Sequence, residues 1–415
     1  MAGFTDLLDL LRSGAWLTRE RMRLVALAVL AASAIGLVFL FATSNGMNDR
    51  FGRPLGTDFS DVYAAGSYVL DGQPATPFDP ARQYAREQAI FGKATPFYGW
   101  HYPPFFLGLA ALLATMPYWL ALLTWQGATL GLYVWAVGNI ANTRDRLWPL
   151  LAIAFPAVFI NIGHGHNGFL TAALISGALV TLDRRPILAG VLIGLLAYKP
   201  QFGLLIQLVL IVSGRWRTFF AAAVTVIVLA LAVTLAFGVD VWTAFLASTG
   251  FTRTVVLEQG GTGWYKIQSV FSWVRMWHGS VPLAYAVQGA TTLIVAGALA
   301  WLWRQRVPFA LQAAALLIGT VLATPYSLDY DLMLLAPAIC FLAVDGMMRG
   351  FAPWQKTLLA VLWIVPLVTR SVAEATLIPL AVPSMLIAFG YLLHRAMTDA
   401  KTTNASGGFA ISSLK

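Results

Sequence analysis

Apolar runs long enough to enter a bilayer recur along nearly all of this 415-residue chain, with short basic clusters set between them. That alternation restricts the fold more than any motif does. Backbone N–H and C=O groups in hydrocarbon find no water, so each run must satisfy them internally, as a helix does. Composition agrees: 59% of residues are hydrophobic and 11% charged, against about 25% charged in soluble domains. The expected fold is an all-α polytopic membrane protein.

The formal charge of +9 does not point to nucleic acid, because of where the cations fall. They cluster as Arg19/Arg21/Arg23, Arg144/Arg146, Arg184/Arg185, Arg215/Arg217, Arg304/Arg306, Arg349/Lys356 and Arg395/Lys401. Each cluster marks a cytoplasmic turn under the positive-inside rule. The single cysteine, Cys340, lies in an apolar run and can form no intrachain disulfide.

Placing every basic cluster inside threads the chain. Residues 1–23 form an amphipathic segment along the cytoplasmic surface, with Leu7, Leu8, Leu11 and Trp16 against Asp6, Asp9 and Arg12. Leu24–Thr43 is too long and too far in for a cleaved signal and reads as a retained anchor. The membrane domain spans 24–397, and 398–415 is a small, polar tail expected to be disordered in the cytoplasm. About twelve crossings result, with both termini inside. Two segments stay outside, about 44–102 and about 239–282; paired glycines in the second suggest a mobile lid. Pro103–Met116 is too short to cross and reads as a partial helix bent at Pro117, with a separate full span as the alternative.

The outward turns collect polar groups from many segments: Asp58, Asp61, His101, Tyr102, His164, His166, Asn167, Lys199, Gln201, Arg253, Glu258, Lys266, Tyr326, Asp329 and Asp331. Charge at membrane depth costs about 2.5–3.5 kcal/mol per residue on insertion scales, so it marks a functional cavity. Lys199 in "YKPQ" stands between two apolar runs with Pro200 interrupting the helix. It either binds an anion, for which phosphate suits a compact ammonium, or snorkels to headgroups. The histidines of "GHGHN" either hold a phosphate or sugar hydroxyl, ligate a metal without any Cys or Glu companion, or sit in a turn capped by Asn167. Asp329 and Asp331 in "SLDYD" either cap a helix or bind substrate hydroxyls. Asp58 and Asp61 share one face at i, i+3; one caps and the other is a general base, or both cap.

The ordered stretches "GTDFSDVYAAGSYVLDGQPATPFDP", "YPPFFLGLAALLATMP", "GHGHNGFLTAALISGAL" and "AGVLIGLLAYKPQFGLLIQLVLI", the last followed by "RWR", resemble glycosyltransferase family 87 over roughly residues 20–395. That family comprises bacterial membrane enzymes of the GT-C fold, similar to polyprenol-phosphate-mannose-dependent alpha-mannosyltransferases. The resemblance implies an inner-membrane enzyme with a periplasmic site. It would move a mannose-like hexose, with inversion, from a polyprenyl-phosphate-linked sugar to a lipid or glycan acceptor. It makes Asp58 the general base and puts Lys199, with His164, His166 or Arg253, on the donor phosphate. Asp61, Asn167, Tyr102, Tyr326, Asp329 and Asp331 are left for sugar or acceptor. One departure is that relatives often read Gly-Gln-x-Asn where this chain has His166. No nucleotide cofactor is expected, and no nucleic-acid partner, since the chain carries no Walker pattern; a divalent metal stays open as an alternative that no ligand set in the sequence supports. The rival from another class is a transporter or flippase of a lipid-linked sugar.

Overall fold

A computed structural model describes residues 2–412 of the chain, and it is helical throughout. Among the described residues there are no strands, only isolated bridges such as Ile267 with Leu328. Six helices are long and apolar enough to cross a membrane: Arg19–Ala42, Tyr118–Ala141, Trp216–Phe237, Val281–Leu302, Asp329–Arg349 and Gln355–Thr376. A seventh candidate, Leu147–Ile153 with Pro156–His164, is bent by 43°. Five more apolar helices have only 10–17 residues, too few to cross about 30 Å alone. The twelve crossings expected from the sequence are therefore six or seven by length, plus these short pieces.

The short helices lie in the centre. Every residue from Leu311 to Leu322 is buried in Phe309–Leu322, and Gly168–Thr181 is buried almost as completely. A helix enclosed on all sides has no polar face, which is why these runs show no amphipathic period. The long helices instead expose large side chains such as Ile35, Leu235 and Leu293 toward lipid.

Helices in lipid gain little from apolar burial and associate through close contact of small residues. Gly190 and Gly194 lie four apart on Pro186–Gly194 and meet Trp216–Phe237; a Cβ on Gly190 would come within 2.5 Å of Thr218 O, and one on Gly194 within 2.5 Å of Thr225 Cβ.

The two ends of the bundle differ. Basic turns join one another at one end: Arg19 pairs with Asp145, Asp183 with Arg215, and Arg349 with Asp345 and Asp399. The N-terminal helix Ala2–Ser13 meets this end, where Trp354 N donates to Arg12 O at 2.7 Å. Helices leaving these turns carry the collected polar residues at their opposite ends. The polar first loop is itself folded, with helices Phe59–Leu70 and Pro80–Phe91. Leu107–Ala114 is a separate short helix, and Pro117 caps the start of Tyr118–Ala141 in an extended conformation, so 103–116 is a partial element. The last helix is Ala381–Ser412, and residues 413–415 of the expected tail lie outside the described residues.

Candidate active site

The polar ends converge on one cavity of about 650 Å³. It is lined by Asp58, Asp61, Tyr102, His164, His166, Lys199, Arg253, Tyr326, Asp329 and Asp331, together with His101, Gln201 and Lys266. Asn167 and Glu258, also collected from the sequence, are not on the wall. Asn167 stands behind it and donates from Nδ2 to Tyr102 OH at 2.9 Å. Glu258 sits beside Arg253, its Oε1 3.5 Å from Nε, and accepts from Tyr285 OH at 3.0 Å.

Asp58 occupies the N-cap position of Phe59–Leu70 but makes no capping hydrogen bond. Its carboxylate is therefore free for other contacts, and Oδ1 lies 3.7 Å from His164 Nδ1 with a quarter of the side chain exposed. Asp61, one turn later, is almost fully buried, and its Oδ1 has no partner. Burial, with Glu87 and Asp58 nearby, pushes the Asp61 carboxyl well above the usual range. The two acids thus have different settings: Asp61 is closed off in protein, which disfavours its charged form, while Asp58 opens to the cavity.

"GHGHN" splits at Gly165. That residue ends Pro156–His164 at φ +64, and a Cβ there would stand 2.6 Å from the Cβ of Phe59; glycine is required on both counts. The break turns the two histidines to separate tasks. His164 Nδ1 is 2.8 Å from Thr57 Oγ1, and Nε2 is 3.4 Å from Arg370 Nη1. Arginine only donates, so Nε2 accepts and the ring proton belongs on Nδ1, toward Thr57 and Asp58. His166 instead stacks on Tyr330 with centroids 3.4 Å apart and places Nε2 3.0 Å from Tyr102 OH. Asn161 locks this corner, since Oδ1 accepts from Gly168 N at 2.9 Å and Nδ2 donates to Tyr330 O at 3.0 Å.

Lys199 projects from the break that Pro200 makes, as expected, but it is not without a protein anion. Its Nζ donates to Asp331 Oδ1 at 2.6 Å, and both side chains are buried. Asp331 also accepts from Leu328 N at 3.0 Å, so it caps the helical segment beginning at Asp329 while holding the lysine. Asp329 faces Arg370 at 3.4 Å.

Arg370 is the residue that sequence reasoning missed. The helix Gln355–Thr376 continues through the charge and brings the guanidinium onto the cavity wall. The signal was present: an arginine in an apolar helix, far from any basic cluster. Glu87 was missed too. It is fully buried in the first loop, with Oε2 accepting from Tyr98 N at 3.1 Å and Oε1 from Gly99 N at 3.0 Å. These bonds hold the strand of chain that leads to His101 and Tyr102. Among the described residues no three His, Cys, Asp or Glu side chains form a group able to hold a metal.

Residues 100–325, more than half of the chain, match the family model described as Glycosyltransferase family 87. No curated protein and no solved structure matches. The matched segment contains Tyr102, His164, His166 and Lys199, whereas Asp58, Asp331 and Arg370 lie outside it and join the site through geometry alone. An all-helical chain with several membrane-length helices, one polar cavity at their ends and this family match is a membrane glycosyltransferase and belongs to glycosyltransferase family 87.

Proposed function

We propose that the cavity moves a mannose-like hexose from a polyprenyl-phosphate-linked donor to a hydroxyl of a lipid or glycan acceptor, with inversion, on the periplasmic side of a bacterial inner membrane. The observation that carries this reading is Asp58: a carboxylate at a helix N-cap that caps nothing and stands in the same cavity as several cations. In the step, Asp58 takes the proton of the acceptor hydroxyl as that oxygen bonds to the anomeric carbon. The bond from that carbon to the phosphate oxygen breaks, and its electron pair leaves with polyprenyl phosphate. Attack opposite the leaving group inverts the centre. Asp61, whose Oδ1 has no protein partner, and the walls formed by Tyr102, Tyr326 and His166 offer hydrogen bonds to sugar hydroxyls. Developing charge on the phosphate calls for preorganised cations, and the cavity wall supplies five Lys and Arg side chains.

The basic turns, at the helix ends opposite the cavity, support this sidedness. Apolar side chains of the second loop, Phe245 and Leu257, reach the cavity and suit an isoprenoid chain. The test is transfer from a panel of labelled polyprenyl-phosphate hexoses by purified wild type and Asp58→Asn. The reading expects transfer by wild type, with an inverted product linkage, and its collapse in Asp58→Asn while donor still binds. Transfer at the wild-type rate by Asp58→Asn, or movement of intact donor across a bilayer without transfer, sinks it.

A further inference from the structure

Five cations line the cavity, and four of them already face a carboxylate: Arg53 faces Asp49, Lys199 Asp331, Arg253 Glu258, and Arg370 Asp329. Lys266 is the exception, having no carboxylate within ion-pair reach among the described residues. It is half-buried, and burial together with the neighbouring Arg370 pulls its ammonium below the ordinary lysine value.

Lys266 and Arg370 are brought together by the fold. Each places its charge 5.8 Å from the centroid of the same ring, that of Tyr265. Thr369 Oγ1, one residue before Arg370, donates to Gln268 Oε1 at 2.7 Å. Gln268 N donates to Ser327 O at 2.6 Å, beside the bridge between Ile267 and Leu328. Hydrogen bonds thus hold two like charges beside one aromatic ring, where the field of Arg370 disfavours the charged form of Lys266 until a further anion joins them. Arg370 has donors to spare, because its contacts with Asp329 and His164 both use Nη1; Nη2 and Nε remain. Lys199, by contrast, gives its charge to a buried carboxylate at 2.6 Å.

We infer that Lys266 and Arg370 form the anion seat of the cavity, binding the phosphoryl oxygens of an isoprenoid phosphate, and that Lys199 is not the phosphate ligand. The choice of an isoprenoid phosphate rests on the donor reading above; the seat itself rests on the pairing pattern. It also orders the cavity, since Arg370 touches His164 and His164 faces Asp58. The phosphate would sit one histidine away from the base.

The test measures equilibrium binding of farnesyl phosphate, farnesol and inorganic phosphate to the full-length protein in detergent, by quenching of tryptophan fluorescence. The readout is the ratio of affinities for farnesyl phosphate and farnesol, which a general loosening of the cavity would not change selectively. Wild type should prefer the phosphate by about a hundredfold, and Lys266→Ala and Arg370→Gln should each lower that preference by about tenfold. Lys266→Arg and Arg370→Lys should restore most of it, and Lys199→Met combined with Asp331→Leu, which removes both charges of that pair, should leave it within about threefold. An unchanged ratio in both Lys266→Ala and Arg370→Gln overturns the inference, as does a ratio lost only in the Lys199→Met, Asp331→Leu double variant. Inorganic phosphate binding as tightly as farnesyl phosphate overturns the lipid assignment. Should the seat behave as expected while no polyprenyl-phosphate hexose is consumed by wild type, the donor reading falls and the seat stands.

Discussion

The ammonium of Lys199 and the carboxylate of Asp331, 132 residues apart in sequence, meet at 2.6 Å with both groups buried. Two charges withdrawn from water each carry a desolvation penalty of several kcal/mol, and their attraction offsets it only while both are present. Lys199→Met should therefore strand Asp331 and cost about 3–5 kcal/mol of stability. Lys199→Met combined with Asp331→Leu should recover most of that loss, because neither charge remains. Thermal unfolding of the two single variants and the double variant checks this. Full additivity of the single losses would show that the pair is not a coupled unit.

The carboxyls of Asp58 and Asp61 predict unequal responses to the same substitution. Asp58→Asn removes a base and should lower kcat by about 10²–10⁴-fold with little change in KM. Burial disfavours the charged form of Asp61, and asparagine matches the neutral form in shape and charge. Asp61→Asn should keep activity within about tenfold, while Asp61→Ala, which leaves a gap beside the base, should lose more. Steady-state kinetics on the three variants separates the roles. Equal collapse in Asp58→Asn and Asp61→Asn would mean that Asp61 ionises during turnover.

Much of this site was legible because its residues are anomalies against an apolar background. A lysine between "LLAY" and "PQFGLL", or two aspartates at the mouth of a span, stands out without any three-dimensional information. The breaks at Pro200 and Gly165 were legible for the same reason, since both residues interrupt helices by their own backbone chemistry. Partnership was not legible. Nothing local to "YKPQ" says that its ammonium will find Asp331, because that contact depends on how the Pro186–Tyr198 and Asp329–Arg349 segments pack. Arg370 escaped for a different reason. A charge inside an apolar run looks the same in sequence whether it ends a helix or, as Arg370 does, sits within one. The number of crossings is likewise not legible from the runs alone, since central helices enclosed by protein need not traverse the full hydrocarbon.

Close backbone approach in the bundle gives a prediction about stability. A Cβ on Gly190 would lie 2.5 Å from Thr218 O and 2.5 Å from Ala221 Cβ, so a side chain there forces two helices apart. Gly190→Val should destabilise by about 1–3 kcal/mol or more through overpacking. Gly203, on Pro200–Val212, has nothing within 4 Å of a Cβ position. Gly203→Ala should be neutral or stabilising by up to about 1 kcal/mol, since alanine is the better helix former. Apparent melting temperatures in detergent compare the two directly. A harmless Gly190→Val would mean that these helices do not touch as described.

Glu87 gives the sharpest pH dependence. Burial is the largest influence and pushes its carboxyl up to about 7, against bonds from Tyr98 N, Gly99 N and Gln83 that favour the charged form; Asp58 raises it further. The folded value lies above the ordinary 4.5, so the folded protein binds the proton more tightly than the unfolded chain. Its contribution is fully present below about pH 4.5 and is lost as pH rises through about 7, by roughly 3 kcal/mol on conversion of the shift. His101 acts in the opposite sense. Burial lowers its pKa from 6.5 to about 4, so its contribution is present above about 6.5 and is lost as pH falls toward 4. The two trends oppose each other between 4.5 and 6.5, and wild type alone will show a muted profile there. Differences from variants isolate each group: Glu87→Gln should remove a fall in melting temperature between about pH 4.5 and 7, and His101→Asn a rise between about pH 4 and 6.5. Glu87→Gln also replaces one accepting oxygen with a donor facing a backbone N–H, so the loop leading to Tyr102 should exchange its amide hydrogens faster. Parallel profiles for wild type and Glu87→Gln between about pH 4.5 and 7 would show that this carboxyl is ionised in the folded protein throughout, and that the two backbone bonds outweigh its burial.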